Sequence, residues 1–222
     1  MSTVRSVAGH RPSLAVQAPR LLFCFAVTAV AAGMVIHLRH YQDPVQLTAG
    51  ILAACYLAWL AVEIPVTFRR SAAQPSESAT LLLYAAARIL TAAAGVLGPL
   101  PWHQWSWWLL LPAIGFVAGV ALRQVAIHTL GRFYSHHVMR QQDHQIVTGG
   151  LYRVIRHPAY AGMLFAHLCF VAFFLNPVSA VLVLLLAAAI TWRIRTEERM
   201  LSTIPGYSAY AADRARLFPG VW

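Results

Sequence analysis

Two short polar stretches of the chain carry most of the side chains that could do chemistry. The first, residues 148–162, reads TGGLYRVIRHPAYAG. Pro158 suits the first turn of a helix, and a proline disfavours helical conformation in the residue before it. We therefore expect an extended His157 just outside a helix N-terminus, where backbone N–H groups and the helix dipole attract an anionic group. Arg156 and Tyr160 flank this point. The same residues would also suit an interfacial helix start facing lipid phosphates.

The second stretch, residues 192–219, begins WRIRTEERML and predicts a helix whose charged residues are paired. Arg193 and Glu197 are four residues apart and share one helix face, while Glu198 lies about 100° round the helix. Two adjacent acids stand out in a chain with 7 acidic and 17 basic residues. The alternative is a solvated helix whose acids are neutralised by neighbouring arginines.

The composition excludes an ordinary soluble enzyme and a disordered chain. Of 222 residues, 59% are hydrophobic and 11% are charged, against about 25% charged residues in soluble domains. The net charge of +10 comes entirely from arginine, and because the arginines lie between apolar stretches they indicate loops facing anionic lipid rather than nucleic acid. The three cysteines fall in apolar stretches, so neither a disulfide nor a metal site is predicted.

Apolar segments predict an all-α integral membrane protein with one structural domain. A membrane helix needs about 20 apolar residues, and four segments approach that length before two shorter ones separated only by Asn176-Pro177. That dipeptide is a turn signal, so the last two segments predict a tight helical hairpin, followed by a tail that caps the site. Residues 1–122 would form the membrane spans and 123–222 the catalytic core. The six segments are 21–38, 45–67, 79–97, 105–122, 160–175 and 178–192.

The arginine distribution predicts the orientation of the chain. Arginines concentrate before the first span, after the second and after the fourth, whereas the alternate connections are nearly free of them. By the positive-inside rule the N-terminus, residues 123–159 and the C-terminal tail should be cytoplasmic. Tryptophans at the start of the fourth span would form an interfacial belt on the opposite side. The arginines counted are Arg5, Arg11, Arg20, Arg39, Arg69, Arg70, Arg123, Arg132, Arg140, Arg153 and Arg156.

Glu63 and Arg88 are charges within otherwise apolar segments. A charge at mid-bilayer costs at least about 2.5–3.5 kcal/mol on insertion scales, so such residues usually find a partner. They could pair with each other as a structural salt bridge, or one of them could contact a substrate.

Taken together, the two polar stretches resemble the isoprenylcysteine carboxyl methyltransferase family, within a wider group that includes phospholipid N-methyltransferases. The shared pattern is Gly-x-Tyr-x-x-x-Arg-His-Pro-x-Tyr-x-Gly, then Arg-x-x-x-Glu-Glu-x-x-Leu, then Tyr-x-x-Tyr and a final Pro. The resemblance covers roughly residues 120–222, with a link after the second motif about two residues shorter than in the family. It is carried by Gly150, Tyr152, Arg156, His157, Pro158, Tyr160, Gly162, Arg193, Glu197, Glu198, Leu201, Tyr207, Tyr210 and Pro219.

The resemblance implies a membrane methyltransferase that uses S-adenosylmethionine, without the soluble nucleotide-binding fold. Arg193 and Glu197 would then be catalytic, acting on a lipophilic acceptor that enters from the bilayer. For a carboxylate acceptor, which is favoured, Arg193 would hold the nucleophile and Glu197 would fix the guanidinium; for an amine, Glu197 would remove the proton. The cofactor-binding residues implied are Tyr152, Arg156, His157, Tyr160, Glu198 and Tyr210.

Two other classes fit parts of the sequence. An NADPH-dependent membrane reductase of the sterol type also has polar C-terminal motifs behind several spans, although the adjacent acids beside Arg193 favour methyl transfer. The protein could also be a non-enzymatic scaffold or transporter, but this function would not explain why the polar residues cluster in two stretches. We expect a multi-pass protein of a bacterial plasma membrane, for which a farnesylated protein fits less well as acceptor, and we infer no protein or nucleic-acid partner.

Overall fold

The computed structural model describes residues 14–68, 78–131, 146–220 and 222. Within these ranges the chain is helical, and the only strand-like feature is an isolated parallel pairing of Ile155 with Ala215. The predicted all-α class is therefore confirmed. The helices are α1 (Leu14–Leu38), α2 (Pro44–Thr67), α3 (Ser78–Leu97), α4 (Leu110–Leu130), α5 (Pro158–Phe173), α6 (Pro177–Leu201) and α7 (Tyr207–Ala212).

Five of these helices, α1, α2, α3, α4 and α6, are long and apolar enough to cross a membrane. The chain is thus an integral, multi-pass membrane protein. The first three spans agree with the sequence prediction to within a few residues at each end, apart from the earlier start of α1. α5 is apolar but shorter, at 16 residues.

The fourth span differs from its prediction, and Arg123 is the residue that the prediction misplaced. The span was expected to end at residue 122, with Arg123 in the following cytoplasmic connection, but α4 continues to Leu130. Arg123 is completely buried inside this helix, where the carboxylate of Glu63 compensates its charge. Gly131, with a φ of +54°, then ends the helix in a conformation that glycine adopts at little cost.

The turn between α5 and α6 is confirmed and has a defined cap. The side chain of Asn176 accepts a hydrogen bond from the backbone N–H of Ser179 at 2.9 Å, while the Ser179 hydroxyl accepts one from the backbone N–H of Asn176 at 3.3 Å. The charged stretch after residue 192 continues the second arm as expected, because α6 is one continuous helix of 25 residues, and this helix is long enough to cross a membrane. The two arms also pack mainly on different neighbours, α5 on α4 and α6 on α3.

The contact between α4 and α5 depends on two glycines. A Cβ added at Gly162 would lie 2.6 Å from the backbone nitrogen of Arg123, and one added at Gly119 would lie 2.6 Å from that of Ala166. Neither position can accommodate a side chain without displacing a backbone, so the two helices approach at the distance that only glycine permits. This approach places the start of α5 against the buried part of α4.

Candidate active site

The two polar stretches predicted from sequence lie together at one end of the helix bundle. His157 occupies the N-cap of α5 and Pro158 is the first residue of the helix, as predicted. With φ of −128° and ψ of 58°, His157 is less extended than the residue before a proline usually is. Its Nε2 lies 3.3 Å from Oε1 of Glu198 on α6.

Glu198 connects three segments of the chain. Its Oε1 is 2.7 Å from Nη1 of Arg156, and its Oε2 accepts a hydrogen bond from Nε of Arg216 at 2.7 Å. Together with His157, these contacts join the segment before α5, the helix α6 and the C-terminal tail. Arg216 was not among the residues predicted for the site, because its partner lies 18 residues away in a segment whose path the motif does not define.

Tyr160 bridges the two residues predicted to be catalytic. Nε of Arg193 donates to the Tyr160 hydroxyl at 2.7 Å, and that hydroxyl donates to Oε1 of Glu197 at 2.5 Å. The direct distance from Arg193 Nε to Glu197 Oε1 is longer, at 3.4 Å. Tyr160 is therefore in direct contact with the pair predicted to be catalytic, whereas the sequence analysis grouped it with the cofactor-binding residues. Nη1 of Arg193 also donates to Thr80 on α3 at 3.3 Å.

The C-terminal tail pairs with the start of α5 through its backbone. The N–H of Arg156 donates to the carbonyl of Ala215 at 2.9 Å, and the N–H of His157 donates to that of Arg216 at 3.0 Å. The guanidinium of Arg216 lies 4.9 Å from the ring centre of Trp222. The tail therefore lies directly over the motif that contains His157.

Tyr152 and Tyr210 connect the tail with the segment that precedes α5. The Tyr210 hydroxyl donates to the backbone carbonyl of Tyr152 at 2.8 Å. Tyr152 itself is buried and packs with Ala126 of α4. Burial raises the pKa of Tyr210, so its hydroxyl stays a hydrogen-bond donor at neutral pH. In the described structure these two residues hold the tail against the segment before α5.

Donors without partners lie beside Glu198. Nε of Arg156 and the hydroxyl of Tyr207 are buried and have no hydrogen-bond partner. Burial, followed by the charge of Glu198, raises the pKa of Tyr207 to about 12, so this hydroxyl keeps its proton. An open cavity of about 480 Å³ adjoins Glu198, within the size range of small-molecule pockets. It is lined by Trp192, Arg195, Glu198, Arg199, Ser202 and Arg216.

These groups match the polar chemistry of S-adenosylmethionine, which carries a carboxylate, an ammonium group and ribose hydroxyls. Arg156 and Tyr207 supply donors suited to a carboxylate or a hydroxyl oxygen, and Glu198 supplies an acceptor suited to an ammonium or a hydroxyl group. The unpartnered buried donors are the observation that favours a ligand here, because buried polar groups usually have partners.

A second buried cluster lies next to this site and includes the two intramembrane charges noted in the sequence. Glu63 Oε2 is 2.7 Å from Nη1 of Arg88, so the predicted pairing is present. The opposite oxygen, Oε1, accepts from Nε of Arg123 and from the indole N–H of Trp59 at 2.7 Å. Nη1 of Arg123 also donates to the carbonyl of Ala159 at 3.3 Å, which ties the cluster to the first turn of α5.

Comparison with known proteins agrees with the motifs. The model of the isoprenylcysteine carboxyl methyltransferase family matches residues 109–203. This segment is similar to that family. The matched residues include both polar motifs that meet around Tyr160 and Glu198, while Tyr207, Tyr210 and the rest of the tail lie beyond the match.

Individual relatives give the same result. Protein-S-isoprenylcysteine O-methyltransferase A of Arabidopsis thaliana is 34% identical over 125 residues, which is 52% of this chain and 61% of the relative. Protein-S-isoprenylcysteine O-methyltransferase B of the same plant is 33% identical over 94 residues, 41% of this chain and 46% of the relative. Protein-S-isoprenylcysteine O-methyltransferase of Saccharomyces cerevisiae is 35% identical over 88 residues, 38% of this chain and 37% of the relative. The chain spans about half the length of the relatives it matches.

Proposed function

We propose that this chain is a membrane methyltransferase that transfers a methyl group from S-adenosylmethionine to the carboxylate of a lipophilic acceptor. The observation that carries the proposal is the convergence of the two family motifs: Tyr160 on α5 bridges Arg193 and Glu197 on α6, and His157 contacts Glu198 beside them. The relatives are named for O-methylation of S-isoprenylcysteine, which supports an oxygen nucleophile here.

In this proposal the cofactor is held by residues around Glu198. Arg156, His157 and Tyr207 would bind its polar groups from one side, and the tail would cover it. Tyr152 and Tyr210 would act through the tail, since they contact each other and hold it in place. When bound, S-adenosylmethionine supplies an electrophilic methyl group on a positively charged sulfur.

The residues of the chain then need to align the acceptor and exclude water, because an in-line displacement depends mainly on close approach and orientation. A carboxylate is ionised at pH 7 and needs no base. Arg193 would hold it, and Tyr160 with Glu197 would fix the guanidinium. With an amine acceptor Glu197 would have to take a proton, a role that its short hydrogen bond from Tyr160 does not favour.

We further propose that the site faces the cytoplasm and that the acceptor enters between helices from the lipid. The end of the bundle that holds the site is the end at which α2, α4 and α6 finish and α3 and α5 begin. The sequence places its arginine-rich connections on that side, and the cofactor is water-soluble, so it would reach the site from the aqueous side while the acceptor reaches it from the bilayer.

The test is methyl transfer in membranes that contain the chain. Membranes are incubated with S-adenosylmethionine labelled in its methyl group, and the lipid-soluble fraction is treated with base. A carboxyl methyl ester releases labelled methanol, whereas an N-methyl group is stable to base. We expect base-labile label with the unmodified chain and background levels with Arg193→Ala. Base-stable label would indicate an amine acceptor, and label independent of Arg193 would overturn the proposed site.

A further inference from the structure

A row of polar side chains on one face of α3 leads from the buried charge cluster to the candidate active site. Thr80, Tyr84 and Arg88 are four residues apart and therefore share this face. Thr80 accepts a hydrogen bond from Arg193 at 3.3 Å, the Tyr84 ring packs edge-on against Tyr160 with centroids 5.9 Å apart, and Arg88 pairs with Glu63. Side chains on a helix lean towards its N-terminus, so Arg88 leans towards Tyr84 and the site.

Three donor atoms on this row have no hydrogen-bond partner although they are buried. They are Nε and Nη2 of Arg88 and the hydroxyl of Tyr84. The two side chains are 8% and 3% exposed, so solvent does not satisfy them. A buried polar group left without a partner costs about 1–3 kcal/mol, and more when it is charged.

These donors belong to one cation and one hydroxyl. Nη1 of Arg88 bonds to Glu63, whereas Nε and Nη2 of the same guanidinium and the Tyr84 hydroxyl remain as donors. A ligand with acceptor oxygens would satisfy them, and an anionic ligand would bind most strongly because charge-assisted hydrogen bonds are the strong ones.

We propose that Tyr84 and Arg88 form the binding site for the carboxylate of the acceptor. The inference rests on the proposed function and deepens it: α3 holds the acceptor's carboxylate by its charge, next to Arg193, which orients it for methylation. A carboxylate has two acceptor oxygens, which suit the two unpartnered guanidinium nitrogens of Arg88 in the bidentate arrangement that arginine favours. Tyr84 and Arg88 precede residues 109–203, so the site joins the N-terminal spans to the segment shared with the family.

The test compares binding of a carboxylate probe with binding of its neutral counterpart. The purified full chain in detergent, saturated with S-adenosylhomocysteine, is titrated with N-acetyl-S-farnesylcysteine and with the corresponding carboxamide. We expect the unmodified chain to prefer the carboxylate by at least about tenfold. Tyr84→Phe and Arg88→Gln should each reduce that preference to about twofold or less, with affinity for S-adenosylhomocysteine unchanged within a few-fold.

Stability and a matched substitution exclude a merely structural effect. Because the Tyr84 hydroxyl has no partner, Tyr84→Phe should unfold at the same or a higher temperature, and this variant alone decides the matter if Arg88→Gln does not fold. Tyr41→Phe removes a hydroxyl from an exposed tyrosine between α1 and α2 at the other end of the bundle, and should keep the preference. Equal affinity of the unmodified chain for both probes, or full preference in Tyr84→Phe, would overturn the inference. Absence of S-adenosylhomocysteine binding would instead contradict the proposed function.

Discussion

The hydroxyl of Tyr160 joins the side chains of Arg193 and Glu197. Both side chains bond to it, so the three form one unit rather than a simple pair on one helix. The i, i+4 spacing predicted the shared face of Arg193 and Glu197, but it could not show that a residue of α5 lies between them. That contact depends on the packing of two helices whose motifs are more than 30 residues apart in the chain.

The first prediction concerns this unit. Arg193→Ala should leave affinity for S-adenosylmethionine within a few-fold and reduce turnover by at least ~100-fold, equivalent to about 2.7 kcal/mol, whereas Glu197→Gln should cause a smaller loss of turnover. The double variant should be little worse than Arg193→Ala alone, because residues that act as a unit are not additive. Methyl transfer and cofactor binding are measured on the same preparations.

Glu197→Gln also distinguishes the type of acceptor. Glutamine can still accept a hydrogen bond but cannot act as a base, so a modest loss favours a carboxylate and a severe loss favours an amine. Arg153→Ala, which removes an exposed arginine near the site, serves as the control and should retain turnover. Full activity in both single variants would show that Arg193 and Glu197 are only part of a charged helix face.

His157 provides a second prediction, for cofactor binding. Its ring contacts Glu198 but makes no hydrogen bond with Arg193, so His157→Ala should weaken S-adenosylhomocysteine affinity by about tenfold or more, or roughly 1.4 kcal/mol. Calorimetric titration of the purified variant measures this. His103→Ala changes an exposed histidine that precedes α4 and should bind normally. Unchanged affinity in a folded His157→Ala protein would remove His157 from the cofactor site.

At the scale of the helices, local sequence signals predicted where a helix begins or ends better than which residues of other helices it contacts. Pro158 predicted the start of α5, and Asn176-Pro177 predicted the turn before α6. Arg123 was assigned to a connection because hydropathy counts an arginine as exposed. Its burial depends on Glu63, 60 residues earlier in the chain, and the local hydropathy pattern cannot predict a pairing over that distance.

The glycine contact between α4 and α5 gives a third prediction. Gly162→Ala should lower the unfolding temperature and weaken cofactor affinity, since its Cβ would push against the backbone at Arg123 and overpacking typically costs about 1–3 kcal/mol. Gly149→Ala is the matched control: Gly149 has a φ of −87°, and an added Cβ would have no neighbour within 4 Å. Equal stability of the two variants would contradict the close approach of the helices.

At the scale of the whole molecule, the candidate site and two exposed tryptophans lie at opposite ends of the bundle. The site lies at one end, while Trp107 and Trp108, 77% and 76% exposed, lie at the other, near the start of α4. Tryptophan is enriched at membrane interfaces, which agrees with the belt predicted there. Several arginines used for the orientation, including Arg69, Arg70, Arg132 and Arg140, fall outside the described residues, so sidedness rests on the sequence alone.

A labelling experiment tests the orientation. Single cysteines at Ser202 and Gln104, both exposed, are introduced into a chain whose three native cysteines have been replaced. In intact cells an impermeant thiol reagent should label position 104 but not position 202, which should react only after permeabilisation. Labelling of both positions from one side would contradict the arrangement of the spans, and labelling of 202 alone would reverse the proposed orientation.

The most direct test of the whole account is a pair of titrations of the purified chain in detergent, one with S-adenosylhomocysteine and one with NADPH. The convergence of both family motifs around Glu198 predicts saturable binding of S-adenosylhomocysteine with a 1:1 stoichiometry, weakened in His157→Ala, and no binding of NADPH. Binding of NADPH in place of S-adenosylhomocysteine would contradict methyl transfer and indicate a membrane reductase.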